Sequence, residues 1–405
     1  MPTVLSQEEV ARLLAAVDKL KHRAILKLIY AEGLRVSEAA RLKVAEVDAE
    51  RRAREENVKN KKIKISNNSI LSAHNIDTNL LLDFYNIMYP ERKDSLPHIW
   101  KWLNRSSFYE NKTPLVMVYN DRVIAHMSVI PFYVLLDGKY YTATSGIDFA
   151  VLPEFQRRGL GTLLAKRRME LSDLGVGFPN ERSIGLYKKL GWIEYFDSYL
   201  HYYLLRPFNH PKFIGSIPLF LRRILNIGSR PFLHLIYHKY ASSMDNLRLN
   251  DLNSDSLDKF SSSLNMQHGT VIPVRDSDYI SWRLLNSPDK DKYRVFSSND
   301  IGIIIKICDN SFYKYIDLLL VSDSSKYSMI RKMISTLALW GMSKDYSYMR
   351  YYTSSEELSS YLSESLKSIV RYQKVIFYAK DVTLLEKLKQ STWHLELIDS
   401  DFEEF

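Results

Sequence analysis

Residues 151–161 read Val151-Leu-Pro-Glu-Phe-Gln156-Arg157-Arg158-Gly159-Leu160-Gly161. A β-type run, Ser145 to Leu152, leads into this stretch, and a helical run, Thr162 to Ser172, leads out of it. A strand that enters a helix through Gln-x-x-Gly-x-Gly leaves several backbone N–H groups aimed at one spot. The positive end of the helix dipole adds to them, so the turn favours phosphate. Neither glycine carries a Cβ, which lets a bulky anion approach the main chain. Arg157 and Arg158 add cationic charge at the same place. Further on stands Asn180-Glu-Arg-Ser183-Ile-Gly-Leu186-Tyr187-Lys-Lys-Leu-Gly191-Trp192, preceded by the short apolar run Val176-Gly-Phe178-Pro. Its Asn begins a helical run as a good N-cap would, and its Tyr is a hydroxyl that could move a proton.

Together the two stretches resemble the signature motifs of the GNAT acyltransferase superfamily, which transfers acyl groups from coenzyme A. In that family Gln/Arg-x-x-Gly-x-Gly/Ala cradles the pyrophosphate of acyl-CoA. The motif Asn-x-x-Ala/Ser-x-x-Leu-Tyr-x-x-x-Gly-Phe/Trp supplies a helix whose tyrosine faces the thioester sulfur. Gln156, Gly159 and Gly161 match the first, and Asn180, Ser183, Leu186, Tyr187, Gly191 and Trp192 match the second. The resemblance covers roughly residues 60–205. It implies a mixed sheet that splays where the pantetheine arm enters, with acetyl-CoA or another acyl-CoA as cofactor. Its implied contacts are the strand residues Ala150, Val151 and Leu152, the turn from Gln156, Arg157 and Arg158 through Gly159, Leu160, Gly161 and Thr162, and then Asn180, Ser183 and Tyr187.

Acyl transfer to an amine needs a held thioester, an unprotonated amine, donors for the oxyanion and a proton for the departing thiolate. By motif position Tyr187 is the proton donor, and the strand's backbone N–H groups are the oxyanion donors. Asp148 is the candidate general base: strand alternation sets it opposite Ile147 and Phe149, and an acid in an apolar strand is costly unless functional or hydrogen-bonded. His126, also mid-strand, reads either as a substrate contact or as a satisfied core histidine. No Gly-x-Ser-x-Gly elbow, Walker-type lysine or pair of cysteines occurs, and no metal is implied.

Composition sets the frame for this site. A chain of 405 residues can bury two or three cores, and a formal charge of +9 suits a phosphorylated cofactor, an anionic substrate or a membrane surface. One cysteine, Cys308, excludes an internal disulfide, and no apolar run spans a bilayer, which leads us to expect a cytoplasmic protein.

The first 56 residues have a composition of their own, with ten alanines and no Asn, Phe or Trp, whereas the remainder holds only eight alanines. Ser6 and Glu9 form a capping box ahead of Val10, Leu13, Leu14 and Val17 at helical spacing. On Leu5-Ser-Gln-Glu-Glu-Val and Tyr30-Ala-Glu-Gly-Leu-Arg35-Val-Ser-Glu-Ala this segment resembles the start of a tyrosine recombinase catalytic domain. That family's His-x-x-Arg box and tyrosine nucleophile are missing, so nucleic acid is not expected as a partner.

The expected architecture is α+β: tandem GNAT-like mixed β-sheet domains behind a small all-helical module. Residues 1–56 form that module, 57–205 the acyl-CoA-binding domain, 206–245 a connector and 246–405 a degenerate second copy. In the copy Val321-Ser-Asp-Ser-Ser-Lys stands where the first half has Gln-x-x-Gly-x-Gly. The connector, with basic and apolar residues interleaved, reads as buried, with an interfacial membrane helix as the alternative. The expected activity is an N-acetyltransferase acting on a small amine such as an amino sugar or sugar nucleotide, in a chain that could form a homodimer. A tandem-GNAT aminoacyl ligase, a non-catalytic acyl-CoA-binding protein and a recombinase-derived DNA-binding protein stay open beside it.

Overall fold

We describe a computed structural model of the chain over residues 70–400, except 73–75, 93–94, 106–114, 182, 211–212, 214–215, 242–247, 262–268, 299–300 and 310–312. The helical module expected at 1–56 lies outside these residues. Residues 66–405 form a compact unit. Its first half runs β1 (Ile70–Ser72), α1 (Thr78–Met88), α2 (Leu96–Arg105), β2 (Leu115–Tyr119), β3 (Arg122–Leu136), β4 (Lys139–Val151), α3 (Leu160–Met169), β5 (Leu174–Gly177), α4 (Ile184–Lys189) and β6 (Ile193–Leu204). Then come α5 (Leu219–His238), β7 (Arg248–Asp251), α6 (Ser254–Ser261), β8 (Thr270–Pro273) and α7 (Ser277–Ile280). The second half continues with β9 (Tyr293–Ser297), β10 (Gly302–Asp309), β11 (Lys314–Val321), α8 (Tyr327–Ser343), β12 (Tyr348–Thr353), α9 (Glu356–Leu366), β13 (Ile369–Ala379), α10 (Val382–Gln390) and β14 (Thr392–Trp393).

β3 and β4 each run unbroken across the sheet. Asp137 and Gly138, both at positive φ, turn one into the other. Pro131 does not interrupt β3 because β2 pairs only as far as Met127 and β8 begins only at Val134, so its missing N–H falls where β4 alone is paired.

Both halves share one mixed sheet, in the order β1-β2-β3-β4-β5-β13-β6-β12-β11-β10-β9-β7. The last strands of the halves are exchanged. β13, from the end of the chain, pairs with β5 of the first half, while β6 crosses to pair with β12 of the second. Between them β6 and β13 form a long antiparallel ladder from Ile369↔Tyr202 to Phe377↔Ile193. The core is shared too: one apolar cluster runs from Ile99 and Trp102 of α2 to Leu384 and Leu388 of α10 and on to Trp393. Trp102 stacks on Trp282 with ring centroids 5.4 Å apart and donates its indole N–H to the Trp282 carbonyl at 2.9 Å.

Two histidines are buried in this core. His201 on β6 bonds Ser368 Oγ at 2.8 Å and Ser359 Oγ at 3.0 Å. His126 on β3 lies 3.3 Å from Tyr85 Oη and 3.2 Å from Ser128 Oγ. Burial pushes each imidazole down to about 4. Both are therefore neutral in the native state, whereas the unfolded chain takes up their protons near pH 6.5. Their stabilising effect is complete above that pH and is lost as pH falls toward 4. Acidifying from pH 6.5 to 5 should remove about 1.5 kcal/mol of stability per histidine, measured by urea unfolding. His201→Gln, which keeps hydrogen-bonding capacity, should flatten that pH dependence. An unchanged slope would disprove this origin.

Candidate active site

The turn after β4 begins with Pro153–Phe155 in a single 3₁₀ turn and ends at Gly159, the N-cap of α3. Arg157 and Gly159 both have positive φ, +61° and +82°, so the chain doubles back twice within three residues. Gly159 faces open space, and no side chain caps α3. The first N–H groups of the helix thus meet no side-chain acceptor, which is the arrangement an anion would need. The two glycines differ in what they make possible. A Cβ at Gly161 would come within 3.1 Å of the Phe149 ring, so this glycine serves close packing of α3 on β4 rather than approach of a ligand.

Several of the expected side chains are occupied in holding the turn. Gln156 donates its amide to the Val151 carbonyl at 2.9 Å. Arg158 donates to the Glu154 carbonyl at 2.9 Å and lies over the Phe155 ring. Leu152 is fully buried, with its N–H on the Ile124 carbonyl. Arg157 is exposed, Leu160 is buried in the first turn of α3, and Gly161 and Thr162 are half-buried there. Ala150 and Val151 are half-buried at the end of β4, where they pair with His126 and Ala125. Asn180 accepts the Ser183 N–H at 3.1 Å in the turn that leads into α4, whose N-cap is Ser183.

β4 and β5 run parallel only from Ala143↔Leu174 to Ser145↔Val176, and the ladder stops there. At the point of divergence lies Arg168, a residue the sequence reading does not single out. It is fully buried and donates Nη2 to both the Thr144 carbonyl at 2.8 Å and the Val176 carbonyl at 2.6 Å. Those are carbonyls from the last rungs of the ladder, and the guanidinium meets the need for donors there. Its planar head rests on Trp192 at 4.8 Å, and Gly146 makes room for it. Tyr187 is buried beside it, edge-on to Trp192 at 4.9 Å, with its hydroxyl 3.5 Å from Arg168 Nη1.

Asp148 departs from the expected alternation. Across the ladder His126 faces Ala150 and Ser128 faces Ile147, so Asp148 and Phe149 together oppose Met127 in a β-bulge. Asp148 takes φ +50° there, and its Oδ1 accepts a hydrogen bond from Arg92 at 2.8 Å. The bulge depends on the offset between two strands, which the local pattern of β4 does not carry. Arg92 also lies over the Tyr89 ring, and the His126 ring faces the Asp148 carbonyl at 3.2 Å. His126 is thus a satisfied core group.

In the second half the matching place is filled by the chain itself. β11 and β12 diverge after Leu318↔Tyr351, and Glu396 enters between them: it accepts the Val321 N–H at 2.8 Å and bridges to Thr353. Asp323 accepts from both the N–H and the hydroxyl of Ser325 ahead of α8. Among the described residues no group of three His, Cys, Asp or Glu could hold a metal.

The acetyltransferase (GNAT) family model matches residues 79–192, which contain both motifs and the β4–β5 divergence. The phage integrase family model matches residues 3–75, past the compositional break at 56. A Sinorhizobium fredii protein named as an integrase/recombinase is 49% identical over 51 residues, 13% of this chain and 17% of that protein. Tyrosine recombinase XerD of Neisseria meningitidis is 45% identical over 56 residues, 13% of this chain and 19% of its own length. The likeness thus spans less than a fifth of either recombinase. A GCN5-related N-acetyltransferase from Anabaena variabilis aligns with a TM-score of 0.50 at 12% identity, covering 76% of this chain and 72% of that one. The chain therefore contains a region that matches the GNAT family model within a GNAT-like α+β fold, preceded by a stretch that matches the phage integrase model.

Removing the guanidinium should be felt in stability before chemistry. Arg168→Leu leaves two buried carbonyls short of a donor and should cost about 2–4 kcal/mol in urea unfolding. Arg168→Lys, which has no planar group to rest on Trp192, should recover only part of the loss. Wild-type stability in Arg168→Leu would show that the carbonyls do not depend on it.

Proposed function

We propose that this chain is an acyl-CoA-dependent N-acyltransferase, with acetyl-CoA as default donor and a small amine such as an amino sugar or sugar nucleotide as acceptor. One observation carries the reading: the uncapped N-terminus of α3 leads along the edge of β4 that β5 has left, toward the buried Tyr187–Arg168 pair. That edge offers N–H and C=O groups to an added strand, as an amide-bearing arm would require.

Bound acyl-CoA supplies an activated thioester. The main chain from Gly159 to Thr162 holds the pyrophosphate, and Arg157 adds positive charge at its surface. Backbone groups of Phe149 to Val151 hold the arm, and one of their N–H groups donates to the carbonyl oxygen as negative charge builds on it. Asp148 takes the proton from the attacking amine through Oδ2, while Arg92 fixes the carboxylate by Oδ1. Tyr187 gives its hydroxyl proton to the sulfur as the carbon–sulfur bond breaks, and Arg168 holds that hydroxyl in place. The guanidinium stands at the inner end of the opening, which favours a short acyl group.

Cofactor binding is tested with Gly159→Asp. The side chain has open space, Asp tolerates positive φ, and its carboxylate would cap α3 and repel phosphate. Calorimetry should show coenzyme A affinity down about tenfold or more with melting temperature unchanged. Undiminished affinity would refute the proposed phosphate site.

The proton donor is tested with Tyr187→Phe. The ring keeps its packing on Trp192, so KM for the donor should hold while kcat falls about 10²-fold or more. A turnover within about twofold of wild type would reduce Tyr187 to a core residue.

A further inference from the structure

The connector is not buried. α5 turns only a narrow face to the protein: Leu233 and Tyr237 are its buried residues, Tyr237 bonds the Leu204 carbonyl, and Asn226 receives the Phe208 N–H. Its outward side carries Phe220, Ile224, Ile227, Pro231 and Leu235, a straight ridge at three- and four-residue spacing. The exposed fractions of the four larger ones are 67, 60, 72 and 71%. Four large apolar side chains this exposed on one helix face are well beyond the scattered apolar surface of ordinary proteins.

Charge along this segment has one sign. From Ser198 to Met244 there is no Asp or Glu, and there are six Lys or Arg. Arg223 and Arg230 flank the ridge on one side and, together with Arg206, line a groove of about 460 Å³ between α5 and the end of α8. Arg206 is ion-paired with Asp345 at that groove, whereas among the described residues neither Arg223 nor Arg230 forms an ion pair. Ile227 and Leu219 form its apolar wall. An anion seated on these arginines would lie directly beside the apolar ridge.

The geometry points to α5 as an interfacial helix that lies on an anionic phospholipid surface, with its ridge among the acyl chains and a lipid phosphate at the Arg223–Arg230 groove. No helix of the described residues is long and apolar enough to cross a membrane, so the contact is peripheral. A second copy of the chain suits the ridge less well. Packed ridge to ridge, two copies would bring the arginines of both α5 helices together with no acid on either helix to pair with them. An apolar stripe flanked by arginines and free of acids is also the pattern that binds anionic bilayers.

The test is co-sedimentation of the full chain with vesicles of phosphatidylcholine alone or mixed with phosphatidylserine. Binding is expected to the mixed vesicles only, and to weaken with added salt. The triple variant Phe220→Ser, Ile224→Ser, Ile227→Ser should abolish it. Arg223→Glu combined with Arg230→Glu should lower it about tenfold or more. All these positions are exposed, so melting temperatures should match wild type. The assignment is overturned if the wild-type chain pellets with neither vesicle, or equally with both. It is also overturned if inorganic phosphate binds the groove while vesicles do not. Concentration-dependent dimers that the triple variant abolishes, with no vesicle binding, would make the ridge an interface between copies instead.

Discussion

Backbone pairing of β6 with β13 is the interaction on which the rest of this molecule depends. β6 closes the first half in sequence but lies between β13 and β12 in space, and β13 reaches back to β5. Take away either strand and the other half is left with an open, apolar sheet edge in the middle of the core, which costs buried hydrogen bonds and invites aggregation. Neither half can complete its sheet alone, so the two are one cooperative structure in spite of their repeated element order. The pairing joins residues some 175 positions apart, as in Ser198 Oγ to the Gln373 carbonyl, a closure that must be made late and at considerable entropic cost.

With the halves locked in this way, the two places where parallel strands diverge can be compared directly. Between β11 and β12 the C-terminal segment supplies Glu396, whose carboxylate takes the Val321 N–H, and Arg275 and Asp399 surround it in a buried ionic cluster. The Val321 donor is thus used internally, and the acid Asp323 stands in the turn ahead of α8, bonded to Ser325. Between β4 and β5 no strand is inserted among the described residues. This difference at the two divergences supports the proposal of an anion site in the first half.

The fold was legible in the sequence to the extent that it is locally written. The glycine pattern located the turn before α3, and the β-type run before it is the end of β4. What was not legible is what depends on register or on distant partners. Asp148 looked like a regular strand acid because a bulge exists only relative to β3. Arg168 belongs to Lys166-Arg167-Arg168, which reads as a solvated helix face, and it is buried by carbonyls from two strands that flank its helix in sequence. The exchange of β6 and β13 leaves no trace in either strand. α5 misled in another way: it is apolar on both its inner and outer sides, so periodicity could not say which one the protein covers.

Arg168 also explains why the divergence of β4 and β5 can exist in the free protein. Strands that part inside a core normally leave carbonyls without donors, a penalty that would drive them back together. A lysine would offer a point charge and an alkyl chain with nothing planar to rest on Trp192, whereas the guanidinium bonds both carbonyls through Nη2 and sits over the indole at 4.8 Å. The opening is therefore built in before any ligand arrives, and a ligand that enters it need not break a ladder to do so. Binding free energy that would otherwise go into parting the sheet remains available for orientation. The same contact sets Tyr187, which has Arg168 beside its hydroxyl and Trp192 against its ring, so the candidate proton donor is positioned by the group that keeps the strands apart.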